Sequence, residues 1–177
     1  MTTRLIPRQI SGPELNWCLR MNRWADVSGI RRLFAVVSRL GDGPMWLLLV
    51  ALFAWHDVHS GRQVATQLAF VGLSAWLLYR TVKRRTRRLR PYQQYRLITA
   101  HVAALDEYSF PSGHTLHAVV FSGVSCLHEP WLALLLLPLT VLIAMSRVIL
   151  GLHYPSDVLA ATGIGGVLIA ISYVLFQ

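Results

Sequence analysis

The chain has 177 residues, a formal net charge of +9, 54% apolar residues and only 14% charged ones. A soluble domain carries about 25% charged residues, and a soluble nucleic-acid binder needs a polar exterior. The composition excludes both in favour of a membrane protein whose charges are segregated into loops. Cys18 and Cys126 lie far apart and form no metal or redox pattern; both are read as unpaired packing residues.

In chain order, the N-terminal stretch MTTRLIPRQISGPELNW lacks the apolar region of a signal peptide. The first spanning helix is therefore expected to act as the insertion signal. Residues 13–40 mix Trp17, Leu19, Trp24, Leu33, Phe34 and Val37 with five arginines. Five arginines do not cross a bilayer cheaply, so one or two amphipathic helices lying in the interface are expected. GDGP at 41–44 is the turn into the first span. Five apolar stretches then follow, at 44–58, 64–82, 113–127, 130–148 and 156–176. The first and third are short. In the last, Ala160, Ala161, Gly163, Gly165 and Gly166 suit close helix packing.

The expected fold is therefore all-α: an integral membrane bundle of about five transmembrane helices over 44–177, preceded by an amphipathic interfacial segment over 1–43. Threading five spans puts 1–43, 80–112 and 147–155 on one side of the membrane. That side holds every one of the seventeen Lys and Arg residues except Arg62. The positive-inside rule puts it in the cytoplasm, here expected to be that of a bacterial plasma membrane.

The unusual polar residues converge on that face. Lys83 and Arg90 open the long loop, FPSGH (110–114) closes it, Ser146-Arg147 ends the fourth span, and GLHYPSD (151–157) leads into the fifth. Ser112 and Gly113 fall at a helix start, where unpaired backbone N–H groups bind anions, and His114 sits on the first turn. His153 and Asp157 are four apart, the spacing at which a carboxylate fixes an imidazole tautomer and leaves the other nitrogen free to attack. Each feature also has an ordinary reading. Ser112, Ser156 and Asp157 make good helix caps, and Arg147 at a helix end can snorkel to the interface.

Together they are more specific. Lys83 and Arg90-Pro91 enclose six residues, PSGH follows, and Ser146-Arg147, His153 and Asp157 complete the spacing SR-x5-H-x3-D. The chain therefore resembles the type-2 phosphatidic acid phosphatase family, related to vanadium haloperoxidases and bacterial acid phosphatases. The likeness runs from about residue 41 to the C-terminus, with no substitution at a signature position. The resemblance implies a metal-independent, cofactor-free helical phosphatase acting on a membrane lipid phosphate or diphosphate: phosphatidic acid, phosphatidylglycerol phosphate or a polyprenyl ester. It implies His153 as nucleophile, Asp157 as its orienting partner and His114 as general acid. It further implies Lys83, Arg90, Ser112, Gly113 and Arg147 as phosphate ligands. A phosphotransferase using the same histidine, or a scaffold binding anionic lipids, remains open.

Arg84, Arg85, Arg87 and Arg88 stand outside the signature. They are read as a juxtamembrane patch attracted to anionic lipid headgroups. His117, one turn beyond His114, is a candidate supporting residue. Asp106 and Glu107, adjacent in the long loop, offer no convergent carboxylate cluster for a magnesium ion.

Overall fold

The computed structural model describes residues 12–56 and 60–176, and every regular element among them is helical. In chain order these are α1 (Gly12–Trp24), α2 (Ser28–Leu40), α3 (Gly43–His56), α4 (Ser60–Thr86), the short α5 (Pro91–Gln94), α6 (Gly113–His128), α7 (Ala133–Ile149) and α8 (Pro155–Phe176). A single 3-10 turn, Pro130–Leu132, leads into α7. Each expected span falls on a helix. Residues 57 and 58 of the first lie outside the described residues, as does the N-terminal stretch 1–11.

α6 is the central pillar, with α4, α7 and α8 packed around it. Leu116, Ala118, Val120 and Val124 are fully buried along it. α7 and α8 instead turn Leu134, Leu135, Val141, Leu159, Val174 and Leu175 outward. An apolar belt of this extent is stable only against lipid. α7 with its leading turn (Pro130–Ile149) and α8 (Pro155–Phe176) are each long and apolar enough to cross a membrane alone. α2 and α3 reach that length and apolarity together, across a bend of 49°. α3 and α6, with 14 and 16 residues, span about 21 and about 24 Å at 1.5 Å per residue. Both fall short of the ~30 Å hydrocarbon core; α6 has protein, not lipid, on most sides.

Only part of the small-residue stripe on α8 is used for packing. Ala161 and Gly165 are buried, and a Cβ at Gly165 would meet Val119 Cγ1 at 2.6 Å. Gly163 and Gly166 face open space, because a helical stripe three residues wide overruns the contact line of one neighbour.

The N-terminal helices are built into the bundle. α1 and α2 both pack on α7. The buried Asn22 donates to the carbonyls of Thr99 (3.0 Å) and Ile149 (2.9 Å) and accepts from Thr99 N–H (2.9 Å). This one amide ties α1, the long loop and the end of α7 together. Phe34 and Ala25 pack with Ile149, Leu150 and Leu152 beneath the loop that carries His153. Cys18 is buried, Cys126 is half-buried, and both are free thiols.

Candidate active site

Local sequence explains how each group is placed. Pro91 takes the first position of α5 and Arg90 its N-cap, with Arg90 N–H donating to Gln93 Oε1 at 2.9 Å. This fixes Arg90 at the start of a short rigid turn. After α7 the chain folds back on itself: Leu152 and His153 both donate backbone N–H to the Arg147 carbonyl at 3.0 Å. Gly151 makes that return possible with φ +77°. Pro155 then starts α8, and Asp157 on its first turn accepts from Tyr154 N–H at 2.9 Å.

His153 is fully buried. Its Nε2 lies 3.2 Å from the Arg90 guanidinium, so a lone pair faces the cation. Its Nδ1 lies 3.4 Å from Asp157 Oδ2, a close charge contact short of a formed hydrogen bond, and Nδ1 is otherwise unpartnered. Burial first, then Arg147, Arg90 and Lys83, holds the His153 imidazole well below its ordinary range. The ring is neutral at physiological pH, the state a nucleophile needs.

Arg147 is buried, with its Nε unpartnered and one terminal nitrogen donating to Ser38 Oγ. A guanidinium held this way keeps donors free for an anion. Ser112 is different. Its hydroxyl caps α6, accepting from Thr115 N–H at 3.5 Å and sharing a 2.9 Å bond with Thr115 Oγ1. It does not line the cavity, whereas Gly113 and His114 do. The Asp157 carboxylate accepts from Tyr154 N–H at 2.9 Å, as a cap does, and the same oxygen lies 3.4 Å from His153 Nδ1.

Lys83, Arg90, Arg147, Gly113, His114 and His153 line one cavity of about 830 Å³. It extends along Trp46, Leu47 and Val50 of α3 and Leu73 and Trp76 of α4. The charged lining residues stand at helix ends and in loops, and the apolar ones come from positions further along α3 and α4. His117 lines it as well, its Nδ1 2.9 Å from the Gly113 carbonyl.

Three further contacts involve residues the sequence reading gave no role here. Asp106 bridges Lys83 (both oxygens at 2.7 Å) and Arg90 (2.6 Å). Burial pushes its carboxyl up, but Lys83 and Arg90 outweigh burial and hold it below the ordinary carboxylate range. It is an anion seated between two cations of the signature. Asp42, in the GDGP turn, lies 2.7 Å from His114 Nε2. Arg88 corrects an expectation outright. It is no free member of the basic patch: it donates to Asp157 Oδ1 (2.6 Å), Ser156 Oγ (2.7 Å) and Glu14 Oε2 (3.1 Å) and lies over the Tyr154 ring. The buried carboxylate of Asp157 needs a counter-charge, and Arg88 is the cation within reach. Arg84, Arg85 and Arg87 remain exposed.

A phosphate that takes Lys83 and Arg90 must displace the Asp106 carboxylate. Asp106→Asn is therefore expected to tighten inorganic phosphate binding about tenfold, ~1.4 kcal/mol, measured by calorimetric titration. Unchanged affinity would mean that the carboxylate and phosphate do not compete.

The fold and cavity define a helical membrane protein with a cationic, histidine-bearing pocket at the ends of its helices. Residues 63–177 match the family described as the PAP2 superfamily, and the chain belongs to it. It is 34% identical over 107 residues to the lipid A 1-phosphatase of Rhizobium etli, covering 60% of this chain and 46% of that one's length. It is 34% identical over 132 residues to the decaprenylphosphoryl-5-phosphoribose phosphatase of Mycobacterium tuberculosis, covering 71% of this chain and 68% of the relative. The fold is that of the crystal structure of Aquifex aeolicus LpxE, with a TM-score of 0.81 at 22% identity over 95% of this chain and 99% of that one.

Proposed function

We propose that the chain hydrolyses a phosphate or diphosphate ester of a membrane lipid through a phosphohistidine on His153. The observation that carries this is the lining of the cavity. Lys83, Arg90, Arg147 and His153 line it at the helix ends, and Trp46, Leu47, Val50, Leu73 and Trp76 line it along α3 and α4, an apolar surface that suits a lipid tail. The names of the relatives, a lipid A phosphatase and a decaprenyl-linked phosphatase, support the same substrate class.

In the first step His153 Nε2 attacks phosphorus. The N–P bond forms, the ester O–P bond breaks, and His114 gives its proton to the departing oxygen. In the second step water attacks phosphorus, His114 takes the water proton, and the N–P bond breaks to release phosphate. The cations neutralise the equatorial oxygens throughout, which is the main requirement of phosphoryl transfer. Gly113 contributes backbone N–H at the α6 start. The three cations supply the charge that a metal supplies elsewhere, so no metal or cofactor enters the steps.

The test is phosphate release by purified protein in detergent, with excess chelator, across phosphatidic acid, phosphatidylglycerol phosphate and polyprenyl mono- and diphosphates. Chelator-resistant turnover of at least one lipid is expected. Turnover that stops with chelator, or that appears with none of these lipids, would overturn the reading.

α1 and α2 are assigned to the interface on the cytoplasmic side of a bacterial plasma membrane. Supporting this, they carry arginines beside exposed Trp17, Trp24, Leu33 and Val36. Exposed Arg84, Arg85 and Arg87 on the same side meet anionic headgroups. A cysteine at position 12 should resist an impermeant thiol reagent applied from outside the cell; labelling there reverses the orientation.

A further inference from the structure

The site holds two aspartate–histidine pairs, and the second involves a residue outside the signature. His114 Nε2 lies 2.7 Å from Asp42 Oδ1, with the imidazole mostly buried and the carboxylate about one-third exposed in the cavity wall. The turn that carries Asp42 is fitted to this ring. A Cβ on Gly41 would stand 3.2 Å from His114 Cδ2 and 3.0 Å from Ile143 Cγ2. A larger residue at 41 would thus press on the ring. Gly41 N–H donates to the Val37 and Ser38 carbonyls (3.3 and 3.1 Å), and its own carbonyl accepts from Trp46 Nε1 at 3.1 Å. The turn is thereby fixed at both ends. Ser38, one turn before Asp42, holds Arg147.

We propose that Asp42 is the positioning residue of the general acid. Its carboxylate holds the Nε2–H of His114 and turns Nδ1 to the oxygen of the departing lipid. Nδ1 makes no hydrogen bond among the described residues. This rests on the phosphatase reading above. The proton balance is closed: the phosphate monoanion of the substrate brings a proton that His114 takes on Nδ1 and gives to the ester oxygen as the O–P bond breaks, Nε2–H stays on Asp42, and Nδ1 takes the water proton in the second step. Asp42 is never protonated. Without the carboxylate, the imidazolium sits near the Arg147 charge with no counter-ion and a free ring torsion. A carboxylate-held histidine of this kind loses its tautomer and orientation when the acid becomes an amide.

The consequence depends on the leaving group. A lipid alcohol is a poor leaving group and needs the proton. A nitrophenolate does not. Asp42→Asn is therefore expected to lower kcat on a lipid phosphomonoester about a hundredfold, within the 10²–10⁴ range of general acid catalysis. In a single turnover of p-nitrophenyl phosphate it should slow the release of nitrophenolate less than about threefold, because that step needs no proton and His114 is called on only in the later water attack. A purely structural role would lower both alike, and equal losses would overturn the proposal. Asp42→Glu should restore part of the lipid activity. The independent check is the double variant Asp42→Asn/His114→Ala: if Asp42 acts through His114, it is no slower on the lipid than His114→Ala alone. Additive losses would contradict that. If Asp42→Asn keeps full lipid turnover while His153→Ala abolishes it, the phosphatase reading stands and the Asp42 role falls. If the native chain turns over no lipid phosphate, both fall.

Discussion

His153→Ala is expected to reduce phosphate release by about 10⁴-fold or more, the scale seen when a nucleophile is removed from a covalent mechanism. The argument is specific to this ring. It is fully buried and neutral, and its Nε2 lone pair faces Arg90 at 3.2 Å in the lining of the cavity. Alanine leaves the cations in place, so phosphate still binds. What is lost is the nitrogen that accepts the phosphoryl group, and water must then attack the ester directly. Arg90 retains its bond to the Leu152 carbonyl at 2.8 Å, so the loop keeps an anchor. A variant that binds phosphate with near-native affinity yet turns nothing over is the expected pattern. Retained turnover would remove His153 from the mechanism.

Arg88→Ala is expected to cost about 3 kcal/mol of stability and about a hundredfold in kcat. The first figure follows from stranding a buried charge. Asp157 has no exposed side-chain surface, and its Oδ1 is held by Arg88 at 2.6 Å. Glu14 also loses a partner, though it keeps Ser156 N–H at 3.0 Å. The second figure follows from geometry. Asp157 freed on one side no longer holds a fixed position beside His153, and a misplacement of about 1 Å costs about 10²-fold. Thermal unfolding in detergent and kcat on the same lipid test the two together. Arg88→Lys separates them: it restores charge but not the fork that grips Asp157, Ser156 and Glu14, so stability recovers more than rate. A stable, fully active Arg88→Ala would return Arg88 to the lipid-facing patch.

What was legible in the sequence follows the range of the contacts. His153 and Asp157 are four residues apart across a proline that starts a helix, so their meeting is local. PSGH is likewise local, a cap and the first turn of α6. The helix-sized apolar stretches fixed where the loops, and with them Lys83, Arg90 and Arg147, reach the membrane face. The pairings outside the signature were not legible. Asp42 meets His114 across 72 residues, Arg88 meets Asp157 across 69 and Glu14 across 74. No spacing encodes such pairs; they arise from how the turn before α3 meets α6 and how the segment after α4 meets α8 and α1. Asp106 was visible as an acid in a basic loop. Its seat between Lys83 and Arg90 depends on the path of residues 95–109, which carry no regular element. Ser112 shows the reverse, a signature residue whose hydroxyl is spent on the helix cap.

The central claim is that His153 carries the phosphoryl group. The most direct test is to mix the protein with a lipid substrate labelled in its phosphate, quench within one turnover in alkali, and locate the label by peptide mass spectrometry. The mechanism predicts an alkali-stable, acid-labile phosphoryl group on the peptide bearing His153, absent from His153→Ala. Label on His114 or Ser112, or turnover with no labelled protein at any quench time, would contradict it.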